Sequence, residues 1–82
     1  MDARARIEQL RTRRRGISPR EIDALLRSAG FSRRVGRGDH WVYSHPARRG
    51  PLTIDSGRNP LLPAYVTKAI NAVEEVLDDG DA

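Results

Sequence analysis

Apolar residues recur along this chain with two different periods, and the change of period marks out its elements. Ala3, Ile7 and Leu10, with Arg14 at the next step, stand at helical spacing and predict a short basic helix over residues 3–14, closed by Gly16. Its apolar stripe is narrow, so this helix must either dock on the rest of the chain or fold on a partner. Ile22, Leu25, Leu26 and Ala29 predict a second helix over 19–29. In front of it, Ser18-Pro19-Arg20-Glu21 reads as a capping box with proline at the first helical position. Ile17 and Ile22 occupy the two positions of a hydrophobic staple, and Gly30 supplies a left-handed stop.

From Phe31 the period drops to two. Phe31–Val35, His40–Ser44 and Leu52–Ile54 read as three strands. The first pair is joined by a tight turn at Val35-Gly36-Arg37-Gly38-Asp39, where two glycines permit positive φ, and the second by a turn over Ala47–Pro51. Asp55–Leu62, broken by Gly57 and Pro60, reads as a loop. Pro63 opens a last helix whose stripe is Val66, Ile70, Val73 and Leu77, and the acidic end beyond Leu77 is expected to fray because negative charge there opposes the helix dipole. The expected architecture is therefore α+β: a three-stranded antiparallel sheet with two helices on one face, in the order α-β-β-β-α, plus an N-terminal helical extension. Alternation assigns Phe31, Val35, Trp41, Tyr43, Leu52 and Ile54 to the helix side. It assigns Arg34, His40, Val42, Ser44 and Thr53 to the open side.

At 82 residues the chain has room for one small domain, and with no cysteine it has no disulfide framework, thiolate zinc site or cysteine nucleophile. The opening Met1-Asp2-Ala3-Arg4 leads into no apolar run, so neither a signal peptide nor a membrane span is expected, and the expected location is cytoplasmic. The net charge of +4 conceals a split: residues 74–82 hold five acids and no base, whereas residues 1–73 hold 15 bases against 6 acids. Fourteen of those bases are arginine, whose planar fork matches phosphate oxygens, which makes nucleic acid the leading partner class.

Within this basic chain His40 stands out. It follows the glycine turn and is rimmed by Arg33, Arg34 and Arg37. Histidine is the side chain best suited to moving protons near neutral pH, and guanidinium groups stabilise the charge that builds on an attacked phosphate. An RNA strand on this surface would bring a ribose 2′-hydroxyl to the imidazole, and only RNA carries that group. A half-exposed strand histidine without a chemical role is the competing reading. His45, five residues on, points to the other face and is expected to cap the strand beside Pro46, with a second acid/base role or a substrate contact as the alternatives. Gly36-Arg37-Gly38 can cradle a phosphate or simply turn the chain. Trp41 and Tyr43 are expected in the core rather than as base-stacking platforms. The run Arg11, Arg13, Arg14 and Arg15 is either solvated or tracks RNA. No metal or other cofactor is expected, since His40, His45, Asp39 and Asp55 do not converge from such spacing.

Leu25-Leu26-Arg27-Ser28-Ala29-Gly30-Phe31, then Gly38-Asp39-His40 with Trp41-Val42-Tyr43-Ser44-His45-Pro46, then Leu52-Thr53-Ile54 and the closing helix, resemble the HicA-type toxins. These are small mRNA interferases of toxin–antitoxin pairs, with a fold like that of double-stranded-RNA-binding domains. The resemblance covers residues 18–77 and divides the chain into a basic extension (1–16), a HicA-like domain (17–78) and an acidic tail (79–82). It implies mRNA as substrate and a HicB-like antitoxin protein as partner, covering the catalytic face. The family's Gly-Ser-His tripeptide, whose histidine is catalytic, falls on Gly38, Asp39 and His40. Asp39 departs from the usual serine, and Asp55 stands where the family often has proline. The resemblance thus implies His40 as catalytic acid/base, and the expected RNA contacts are Arg33, Arg34, Arg37, Gly38 and Ser44. The rival readings are a non-catalytic RNA-binding module and a DNA-binding regulator using the 19–29 helix, the latter lacking an adjacent second helix for a helix-turn-helix.

Overall fold

A computed structural model describes residues 2–13 and 15–80. The elements run α1 (Ala3–Arg13), α2 (Pro19–Ser28), β1 (Ser32–Val35), β2 (His40–Ser44), β3 (Leu52–Asp55) and α3 (Pro63–Gly80). The sheet is antiparallel in the order β1-β2-β3. The chain is a small α+β domain with three helices. Arg14, expected to end the first helix, lies outside the described residues.

Local chemistry starts and stops α2. The Ser18 side chain accepts from the Glu21 N–H, and the Glu21 carboxylate accepts from the Ser18 N–H at 2.8 Å, closing the capping box. Ile17 and Ile22 are both buried, completing the staple. At the other end Gly30 takes φ +92°, and its N–H reaches the Arg27 carbonyl while that of Phe31 reaches Leu26, both at 3.0 Å. That pair of bonds is a Schellman stop, with Phe31 and Leu26 buried beside it.

The two helices α2 and α3 pack their apolar faces into one core with the sheet. His45 donates from Nε2 to the Ala29 carbonyl at 3.1 Å, tying the C-terminal end of α2 to the far end of β2. Leu61 donates to the Ile17 carbonyl at 2.8 Å, joining the starts of α2 and α3. Beneath them Tyr43, Leu52, Ile54 and Phe31 meet Ile22, Leu25, Leu26, Val66, Ala69, Ile70, Val73 and Val76 in one core. Ala3, Ile7 and Leu10 of α1 belong to the same cluster, so the N-terminal helix docks on the body.

The structure departs from the expected pattern in three places. Val35, assigned to the helix side, is 70% exposed, because it ends an edge strand beyond the reach of either helix. Val42 lies on the open face yet is only 8% exposed. Its register neighbours Arg34 and Thr53 flank it, and Gly36 approaches so closely that a Cβ there would lie 3.0 Å from Val42 Cγ2. Finally, α3 does not stop at Leu77 but continues to Gly80. Val76 is buried in its last turns, and Glu74 and Glu75 are bridged to Arg11 (2.6 Å) and Arg48 (3.2 Å), so these acids anchor the helix end. Of the tail expected to fray, residues 79 and 80 are helical, and Asp81 and Ala82 lie outside the described residues.

Tyr43 is the largest fully buried side chain, and its hydroxyl donates to Asp23 Oδ1 at 2.6 Å. Asp23 also accepts from Arg27 (3.1 and 3.2 Å) and Arg33 (3.2 Å), which joins α2 to β1 and β2. Burial, and then the neighbouring carboxylate, push the Tyr43 hydroxyl's pKa well above its ordinary value. Tyr43→Phe should cost about 1.5–3 kcal/mol, as for hydrogen bonds to charged groups, read as a lower urea midpoint at unchanged slope.

The Ser18 N–H, with Arg13 adding to it against some desolvation, holds the Glu21 carboxyl below its ordinary pKa. A carboxyl lowered in the folded state stabilises it above the unfolded pKa and ceases to do so as pH falls through the folded one. Melting temperatures measured across the acidic range should therefore fall less steeply for Glu21→Gln than for the unsubstituted protein.

Candidate functional site

The β1–β2 turn is built on two glycines used in different ways. Gly38 takes φ +57°, where an L side chain is disfavoured. Gly36 does not need positive φ; it needs space, since a Cβ there would also sit 3.3 Å from the His40 carbonyl oxygen. The Gly36 N–H is spent on the His40 carbonyl at 2.7 Å, so Gly36 has no donor left for a phosphate, and any cradle in this turn reduces to Arg37 and Gly38. His40 N–H closes the turn onto the Arg37 carbonyl at 3.1 Å.

That same Arg37 carbonyl lies 2.9 Å from His40 Nδ1. A carbonyl oxygen can only accept, so the neutral ring carries its proton on Nδ1, and Nε2 keeps its lone pair. The ring is exposed on the open face of the sheet, and Nε2 has no protein partner among the described residues. Register places Asp55 directly across from it. Arg34, opposite Val42, is its diagonal neighbour, at a spacing long side chains can bridge.

The other histidine is held in the opposite state. His45 Nδ1 accepts from the Ala47 N–H at 3.0 Å while Nε2 donates to Ala29, and its ring packs 5.0 Å from that of Phe31. Both nitrogens are engaged, so His45 joins α2 to β2 and offers no free base.

The expected RNA contacts divide in the same way. Arg34 and Arg37 are at the His40 end, and neither has a carboxylate partner among the described residues. Arg33 is not brought to this face. It shares the helix side with Tyr43, pairs with Asp23, and its guanidinium stacks 4.3 Å from the Trp41 ring centroid. Ser44 is on the open face but four residues along β2, about 13 Å from His40 at the strand rise. Trp41, half-buried under Arg33, and Tyr43, fully buried, present no stacking platform.

Arg58 is a further exposed arginine that nothing in the local sequence announces. It follows β3, and its loop closes on the turn: Ser56 N–H donates to the Asp39 carbonyl at 2.7 Å. Arg58 is exposed there without a carboxylate partner among the described residues. Its distance of three residues from Asp55, the register partner of His40, is the one signal that could have pointed to it. By contrast Arg11, Arg13, Arg27, Arg33 and Arg48 are bridged to acids.

Among the described residues no three His, Asp or Glu side chains form a metal-binding group, and no helix is long and apolar enough to cross a membrane. The chain matches no protein-family model, no curated protein and no solved structure.

Proposed function

We propose that this chain is a HicA-like mRNA interferase of a toxin–antitoxin pair, an endoribonuclease in which His40 acts as acid and base without a metal or other cofactor. The carrying observation is the exposed His40 ring, protonated at Nδ1 by its bond to the Arg37 carbonyl and free at Nε2. The α-β-β-β-α order of α2 to α3, with both helices packed into one core with the sheet, supports the finer assignment to a fold like that of double-stranded-RNA-binding domains.

In the proposed reaction Nε2 takes the proton of a ribose 2′-hydroxyl. The freed oxygen attacks the adjacent phosphorus, the bond to the 5′-oxygen breaks, and the imidazolium returns its proton to that leaving oxygen, leaving a 2′,3′-cyclic phosphate. Arg34, Arg37 and Arg58 would neutralise the charge building on the phosphate. The same basic surface suits an acidic protein, which accords with neutralisation by a HicB-like antitoxin. The alternative, a non-catalytic RNA-binding module, draws support from Asp55, a carboxylate across the register from His40 that opposes a close phosphate.

Induced in a bacterium, the protein should arrest growth and degrade message, while His40→Ala should grow normally and remain folded. In vitro that variant should lose about 10²–10⁴-fold in cleavage, the usual worth of a general base. Equal toxicity of the two forms removes the catalytic role, and RNA binding without cleavage in both supports the alternative.

Replacing Arg34, Arg37 or Arg58 by alanine should weaken RNA binding. Each replacement should also lower the salt slope by about 0.7, the value for one phosphate of a single strand left without its cation. Arg33→Ala should leave that slope unchanged and instead lower the denaturation midpoint, since its charge is spent on Asp23.

A further inference from the structure

The His40 ring is oriented by a main-chain carbonyl, so whatever holds the 36–39 turn also holds the ring. The turn is gripped from outside the hairpin. Ser56 donates to the Asp39 carbonyl twice, from its N–H at 2.7 Å and from Oγ. Gly57 sits against the Asp39 side chain with no room to spare: a Cβ on Gly57 would meet Asp39 Oδ2 at 2.5 Å, Cγ at 2.9 Å and Cβ at 2.8 Å. The Gly57 N–H is in turn held by Asp55 Oδ1 at 3.1 Å, and Asp55 is fixed in register opposite His40. Rotating the Asp39 carboxylate would relieve the first two approaches but not the third, because Cβ moves only with the backbone. Ordinary contact begins at 3.4 Å, so a side chain on Gly57 forces its own loop and the turn apart.

We propose that Ser56 and Gly57 are positioning residues: they clamp the turn through Asp39 and thereby keep the His40 ring protonated at Nδ1 with Nε2 free. The inference rests on the nuclease reading only for its effect on cleavage; the orientation of the ring is tested without it. Asp39 thus has a task of its own in this chain, as the side chain that the glycine accommodates.

The test is nitrogen NMR of the histidine rings in mildly alkaline buffer, where imidazoles are neutral. Unsubstituted protein should show His40 protonated at Nδ1 and His45 at Nε2, the latter serving as internal reference. In Gly57→Ala the His40 preference should be lost while His45 keeps its pattern. RNA turnover at saturation should fall on the order of 10- to 100-fold, the cost of misplacing a reacting group by about an ångström, with RNA affinity retained. Gly50→Ala, at a positive-φ glycine in the β2–β3 turn, should cost stability without altering either histidine. A folded Gly57→Ala with the unsubstituted His40 pattern overturns the proposal. Should Gly57→Ala fail to fold, Ser56→Ala decides: partial loss of the Nδ1 preference supports the clamp and an unchanged pattern overturns it. If unsubstituted protein leaves RNA uncut, the nuclease reading fails while the ring spectra still judge the clamp.

Discussion

A slip of one residue between β1 and β2 would carry Tyr43 into solvent and His40 beneath the helices, because side chains alternate across a strand. The pairing of Val35 with Trp41 and of Arg34 with Val42 is therefore the constraint on which both core and surface depend. Exposing Tyr43 and its neighbours would cost about 1.5–3 kcal/mol for each large apolar side chain, against a total stability of about 5–15 kcal/mol for a typical domain. Tyr43 adds a direction to this apolar preference, since its hydroxyl must also find Asp23. At the turn end, the bond from Gly36 to the His40 carbonyl sets the same register.

The two histidines illustrate how little residue type decides without surroundings. They lie five residues apart on and just beyond one strand, and hydrogen bonds leave them in opposite tautomers. His45, between Ala29, Ala47 and Phe31, has become a tie between helix and sheet. His40, held by one carbonyl and otherwise open, keeps the lone pair of Nε2 exposed. The arginines separate similarly. Those facing α2 or α3 meet Asp23, Glu21, Glu74 and Glu75, whereas those at the β1–β2 turn meet no acid among the described residues. The acidic end of the chain is more than a solvated tail: it supplies partners for Arg11 and Arg48 and holds α1 and the β2–β3 turn to α3.

Sequence alone determined the features that rest on near neighbours. The capping box, staple and stop of α2 involve contacts within five residues, and the alternation of β2 follows from the pleat of the backbone, so both were legible without a fold. Arg33, expected at the RNA surface from its arginine chemistry, instead faces the helices, because its decisive partner, Asp23, lies ten residues back on another element. Only tertiary structure decided that Val35 is left exposed at a sheet edge, that Val42 is flanked by Arg34, Thr53 and Gly36, and that the loop carrying Arg58 closes on the β1–β2 turn. It alone brought Gly57 against Asp39. These outcomes depend on strand order, edge position and loop closure, quantities set by packing over long sequence separations, and no local period encodes them.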